Sequence, residues 1–467
     1  MSVRACVAAL VVAPGSVEAA TAYRVTLDDA ARTLAVEVCV PEAARTQHFD
    51  APQRAAPRYL LDVSRAGMRA VAREDGTLVA ADWRAGECLA YTVDLAAIVA
   101  ESRRGRGYTF GDDRVAAPRT WLWRPRGRER ERDATIAFTL PRGWSLSVPW
   151  RALEPTPPRR RFALGARPPA WPALVAFGRF AERDLAAGAG TIRYAALGVA
   201  GERATLGRYV AATAADVAAT FPRAFALAPQ LALVPVGTQR DAVPFGQSYR
   251  GGGNGVVLYV DPDRTLDEYF ASWTLTHELV HLAHPYLGDD GAWISEGIAT
   301  YFQNVVRARA GRMSAHAAWR ELDAGFGRGR ANHSTRTLRE TSRAMGRDRL
   351  YMRAYWSGTA LALAADLAWR TRTEAPTSLE AVLNAWMACC RDADRRVGPD
   401  AFLAELDRIA GGAPVFAPLH RAHADASAFP SLEESYATLG IAHRDGALAF
   451  APARLALRRA IMGPTSP

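Results

Sequence analysis

The sequence predicts a multidomain α+β chain, with an N-terminal β-sandwich-like region, a mixed middle region and a C-terminal helical region. Three observations carry this. Residues 23–155 alternate apolar and polar positions between frequent turns. Proline- and arginine-rich sequence at 156–172 then interrupts any regular element. Beyond 173, strand-like and helix-like runs mix, and beyond 313 helical periodicity dominates. At 467 residues the chain also exceeds one ordinary core.

The elements follow in order. Residues 1–22 read as an export signal. Arg4 gives a weakly positive start, Ala5 to Ala13 is a short apolar run, and Ala20-Thr21-Ala22 fits small-x-small cleavage. This places the protein in the periplasm or outside the cell; without a signal it is cytoplasmic. No other run reaches the roughly eighteen apolar residues of a membrane span. In the β region, Leu34, Val36, Val38 and Val40 share one strand face, and Leu89, Tyr91 and Val93 share another. Cys39 and Cys88 fall on the opposite faces of those two strands, where they can pair across the sheet in an oxidising compartment. Adjacent Cys389 and Cys390 read as packing thiols, and no metal-binding cysteine spacing appears.

The region 173–312 opens with a helix at Ala204 to Thr220, stopped by Pro222. Strands follow at 231–235 and 255–260. Region 313–455 is helical, with segments at 360–370, 379–389 and 399–409, and 456–467 reads as a tail. The stretch 325–347, rich in Arg, Gly and Ser/Thr, reads as a long loop.

Composition removes some functions. The formal net charge is +10, and all 58 basic residues are arginine. Such complete replacement points to a GC-rich genome rather than to a basic surface. The arginines are scattered among acids, as at 126–133, whereas nucleic-acid binding wants a basic stripe with interleaved aromatics. Without lysine the chain has no side-chain amine for Schiff-base chemistry.

The chemistry concentrates at His277-Glu278-Leu279-Val280-His281. Positions i and i+4 share a helix face, so His277 and His281 can grip one zinc ion, with Glu278 beside them as general base to water. Thr265 and Glu268 form a capping box upstream and Pro285 lies downstream, so the motif is expected within one helix of about twenty residues. A third histidine six positions after His281 would complete a three-histidine site, but Leu287 stands there. His284 reads as a helix-end residue behind the ligands, and Asp289 and Asp290 as solvated turn residues. Glu296 opens a second helical run from Trp293 to Arg309 and is the candidate third ligand.

The His277–Tyr301 stretch resembles the gluzincin zinc metallopeptidases, which combine H-E-x-x-H with W-x-x-E-G, here Trp293 to Gly297. It is most similar to the glycyl aminopeptidase family and more distantly to the aminopeptidase N family. The resemblance runs loosely from about residue 23 to 450, without an evident PDZ module. It implies a thermolysin-like catalytic domain, one Zn²⁺ per chain and a peptide or protein substrate. It also implies a tyrosine that steadies the tetrahedral intermediate. Tyr355, in Tyr355-Trp356-Ser357-Gly358, fits that role, with Tyr351 as a competitor. In this architecture an edge strand pairs with extended substrate, and 255–260 is the candidate, with an internal strand as the alternative. The family segment whose glutamate holds a substrate amine corresponds to 251–255. Gly252, Gly253 and Asn254 would let substrate backbone approach, but the glutamate is missing. The expected function is therefore zinc-dependent peptide hydrolysis, with aminopeptidase action favoured narrowly over endopeptidase action. The alternatives are a binding protein of the same fold that has lost turnover, and a zinc hydrolase of non-peptide substrates such as epoxides.

Overall fold

The computed structural model describes residues 20–463, apart from 66–70, 105–110, 128–132, 165–172, 251–252, 373–376 and 392–396. The export-signal reading falls almost wholly outside these residues; the first strand, Ala22–Leu27, begins where that segment was expected to end.

The alternation in the N-terminal region is realised as packed sheets. A seven-stranded sheet runs in the order Arg151–Ala152, Arg161–Ala163, Thr135–Thr139, Ala22–Leu27, Thr33–Val40, Glu87–Asp94, Leu60–Arg65. A four-stranded and a three-stranded sheet accompany it. Leu34, Val36, Val38, Leu89, Tyr91 and Val93 are all buried in one core with Trp83, Trp121, Trp123 and Trp150. On the other face Cys39 stands directly opposite Cys88, and the two form a disulfide. Cys389 and Cys390, expected as separate packing thiols, are bonded to each other.

The proline-rich stretch is not a simple linker. Arg161–Ala163 pairs with Thr135–Thr139, and Val175–Gly178 joins the strands at 145–147 and 114–116. The N-terminal sheets thus draw strands from beyond residue 155. The reason is that proline blocks only its own backbone donor, so short strands persist between prolines.

The middle region forms a five-stranded sheet in the order Glu182–Ala187, Gly190–Ala196, Gln230–Pro235, Gly255–Val260, Phe245–Tyr249. Its central pairings are parallel and its two edges antiparallel. The strand 255–260 is therefore internal, flanked on both sides, which corrects its candidacy as the edge. The edge is Phe245–Tyr249, half-buried along most of its length.

The Ala204–Thr220 helix forms as read from the sequence. The expected twenty-residue helix instead breaks in two. Thr265 caps a short helix, Leu266–Ala271, with the full capping box in place. Ser272 then adopts an extended conformation (ψ 136°), and a second helix, Thr274–Val280, carries the motif. A single 3-10 turn over His281–Ala283 follows, ahead of Pro285.

Stretch 325–347 is not a long loop. Ala315–Ala331 and Leu338–Ala344 are helices, the second started by a Thr337–Glu340 capping box. Nor are residues 456–462 a free tail. Leu455–Met462 is a helix whose Ile461 carbonyl accepts a bond from Arg309 at 2.8 Å. One apolar core takes members from Ala187 to Met462, so the helical region packs as a continuation of the five-stranded sheet.

Two helices matter most for the site, Ala292–Arg309 and Tyr351–Arg370. They cross backbone to backbone at Gly297 and Gly358. A Cβ on Gly358 would lie 1.9 Å from the Trp293 carbonyl oxygen. Further along, the Tyr301 hydroxyl donates to buried Asp366 at 2.7 Å, and Asp366 also accepts from Arg370 and the Leu379 amide. No described helix is long and apolar enough to cross a membrane.

Candidate metal centre

His277 and His281 project from the same side of the 274–280 helix and its following turn, as i,i+4 spacing requires. Glu296 comes from the first turns of the 292–309 helix. The separations are 3.0 Å for His277 Nε2 to Glu296 Oε2, 3.3 Å for His281 Nε2 to Glu296 Oε2, and 3.2 Å between the two Nε2 atoms. Zinc–ligand distances near 2.0–2.1 Å set tetrahedral ligand–ligand edges of about 3.3 Å. The three donors therefore stand at the corners of a zinc-sized tetrahedral face. Two imidazole nitrogens and a carboxylate oxygen are also a donor set zinc favours.

The surroundings fix these donors. His277 Nδ1 meets Gln303 Oε1 at 2.9 Å, which places the proton on Nδ1 and leaves the Nε2 lone pair facing the cluster. His281 Nδ1 is 3.4 Å from Ser295 Oγ. Arg250 is buried behind His281. It donates to the His281 carbonyl at 2.9 Å, to the His284 ring at 3.0 Å and to Ser295 Oγ at 3.2 Å. Burial, and then the Arg250 charge, push His284 well below its ordinary pKa. His284 is thus neutral, and it packs between Arg250 and the His281 ring. Glu296 is held well below the carboxylate range: burial opposes this, but His281 and His277 outweigh it.

Glu278 is buried against the edge strand. A Cβ on Gly246 would come within 2.6 Å of its Cγ, so the strand approaches only because residue 246 is glycine. Burial pushes the Glu278 carboxyl up to about 7, with Glu296 adding to the effect and His277 and Ser248 opposing it.

Tyr355 sits on the other side of the cluster, its ring stacked on His277 at 5.8 Å and 3° from parallel. Burial first, and then Glu296 and Glu278, raise its phenol well above the usual range, so it stays protonated. Tyr351 is exposed and lies one helical turn earlier.

Of the glycine segment, Gly253 and Asn254 contact the N-terminal region. Gly252 falls outside the described residues. Gly253 packs on Pro149, and Asn254 donates to the Pro149 carbonyl at 2.9 Å while accepting from the Gln230 amide at 3.0 Å. These backbone groups join the five-stranded sheet to the N-terminal region, and the strand beside Glu278 is Phe245–Tyr249. Asp290 pairs with Arg343, away from the cluster.

The sequence reading missed Arg250, Gln303 and Gly246. Gln303 was within reach, since it stands two turns after Glu296 on the same helix face. Arg250 and Gly246 carry no local signal.

No protein-family profile and no curated protein matches the sequence. Solved structures match its fold. An aminopeptidase N family protein from Idiomarina loihiensis aligns over 90% of this chain and 78% of its own, at 12% identity and a TM-score of 0.62. An M1 zinc metallopeptidase from Deinococcus radiodurans aligns over 88% of this chain and 94% of its own, at 15% identity and a TM-score of 0.52. A variant of the Deinococcus enzyme, bound to a Tyr-Ser-Ala substrate, aligns at 14% identity, also with a TM-score of 0.52. The fold is that of the aminopeptidase N-like gluzincin metallopeptidases.

Proposed function

We propose that this chain is a zinc-dependent metallopeptidase, acting as an aminopeptidase. The observation that carries the reading is the convergence of His277 Nε2, His281 Nε2 and Glu296 Oε2 at zinc-ligand spacing. His277, His281 and Glu296 would hold one Zn²⁺. When bound, the ion supplies Lewis acidity that activates water and polarises a carbonyl.

The chain's own groups do the rest. Glu278, beside the cluster, takes the proton of the attacking water and passes it to the leaving amine. Tyr355 keeps its phenolic proton and donates it as a hydrogen bond to the developing oxyanion. Phe245–Tyr249 is the outermost strand of its sheet among the described residues, and an extended peptide can add there as a further strand. Gln303 holds the His277 imidazole, and Arg250 holds the His281 backbone carbonyl.

Aminopeptidase action is supported by the fold's likeness to an aminopeptidase N family protein. One observation favours endopeptidase action instead: Phe245-Gly246-Gln247-Ser248-Tyr249 carries no carboxylate to hold a free amine. Hydrolysis of one peptide series with free and with acetylated N-termini by zinc-loaded protein tests the reading. Cleavage confined to free amines supports aminopeptidase action. Equal cleavage of both makes the chain an endopeptidase, and cleavage of neither removes peptide hydrolysis.

A further inference from the structure

A cavity of about 670 Å³ opens where the N-terminal sheets meet the five-stranded sheet. It lies along Glu182–Ala187, the sheet edge opposite Phe245–Tyr249. Four strand intervals of about 4.8 Å put it roughly 19 Å from the metal-side edge. Nothing in the hydrolytic reading uses it.

Its lining is cationic. Arg179, Arg183, Arg203 and Arg208 face it, against Asp112 and Asp113. Arg203 is committed to Asp263, with bonds of 3.1 and 2.7 Å. The guanidinium groups of Arg179, Arg183 and Arg208 have no hydrogen bond or ion pair among the described residues, although Arg179 lies 5.8 Å from the Trp144 ring. Asp113 makes no ion pair with them among the described residues. It is buried, and its two oxygens accept from the backbone amides of Arg179 at 3.0 Å and Gly198 at 2.7 Å.

A second, independent feature points the same way. Tyr194 lines the cavity, is only 7% exposed, and its hydroxyl has no partner among the described residues. The rest of the side chain is buried, so this hydroxyl opens only toward the cavity, where it can donate to a bound acceptor in place of water. Burial holds this phenol up to about 12, so it remains a donor at neutral pH. The 204–220 helix also starts at the cavity without a side-chain cap; the Leu206 amide donates to the Arg203 carbonyl at 3.1 Å, which leaves the Ala204 and Thr205 amides as further donors.

We propose that this cavity is a binding site for a small organic anion carrying at least two carboxylate or phosphate groups. Guanidinium forks suit both groups. One oxyanion occupies one or two forks, so three unpaired arginines and a phenol call for a multiply charged ligand. The volume falls within the roughly 300–1,000 Å³ of small-molecule sites. Phe180 and Leu185 give the ligand's carbon frame an apolar wall. The site joins two layers of the molecule, so its ligand bridges them.

Calorimetric titration of the full chain at constant ionic strength, with succinate and with fructose 1,6-bisphosphate, tests this. Saturable binding of at least one probe with a Kd of about 1 mM or tighter is expected, and the stronger probe identifies the anion type. The R183S/R208S variant changes two exposed side chains, and its fold can be checked by circular dichroism. It should bind at least about tenfold more weakly, and Y194F several-fold more weakly. The proposal is overturned if neither probe binds saturably, or if R183S/R208S binds both as the unaltered chain does.

Discussion

The ring of Tyr355 lies on the imidazole of His277, with centroids 5.8 Å apart and planes 3° from parallel. The stack sets the phenol beside the donor cluster from a helix distant in sequence. Y355F keeps the stack and removes only the hydroxyl. It should lower kcat by about a hundredfold to a thousandfold while zinc content stays unchanged. Y351F, one turn away and exposed, should change kcat little. Steady-state kinetics on both variants decide between the two tyrosines.

That stack depends on the Gly297–Gly358 crossing. Alanine at 358 would put a methyl carbon 1.9 Å from the Trp293 carbonyl oxygen, and backbone cannot move aside as a side chain can. G358A should destabilise the fold by about 1–3 kcal/mol and lower activity as Tyr355 moves off His277. G327A, whose new methyl group meets nothing within 4 Å, serves as the control and should melt at or slightly above the original temperature. Thermal melts followed by circular dichroism read both.

Arg250 ties the His281 carbonyl, His284 and Ser295 together. R250M leaves those three acceptors without a shared donor, so His281 loses its fixed position. Zinc affinity should fall about tenfold, measured by competition with a chromophoric chelator. R250K should fall with it, because one ammonium cannot span the three contacts. Unchanged zinc affinity in R250M would remove this role.

The Thr265 amide, Arg264 and the Thr265 hydroxyl hold Glu268 down from 4.5 to about 2. A carboxylate depressed in the folded state contributes stability that is complete above 4.5 and is lost as pH falls through about 2. E268Q removes this contribution. The stability gap between the unaltered chain and E268Q should therefore be constant near neutrality and shrink between pH 4.5 and 2 in acid-unfolding curves.

The parts of the site that were legible in the sequence obey local rules. His277 and His281 follow from helix spacing, and the Thr265 cap from a four-residue box. Cys39 and Cys88 follow from strand alternation, which placed both on the face opposite the core. The parts that were not legible depend on tertiary packing. Ser272 breaks the helix although nothing before it signals a stop. Phe245–Tyr249 escaped notice because it lacks alternation, and Gly246 is there to admit Glu278. The neighbouring glycines at 251–253 drew attention by composition alone. Arg250 looks like any other arginine in a chain with 58 basic residues, until the fold buries it behind His281.

The central claim is that Glu278 moves the proton of water activated at the His277–His281–Glu296 cluster. The most direct measurement compares peptide hydrolysis by the unaltered chain and by E278Q at matched, metal-analysed zinc content. The account predicts about one zinc per chain in both. It also predicts a turnover loss in E278Q of at least about a hundredfold to ten-thousandfold. Hydrolysis by E278Q at the original rate, with zinc bound, would contradict it.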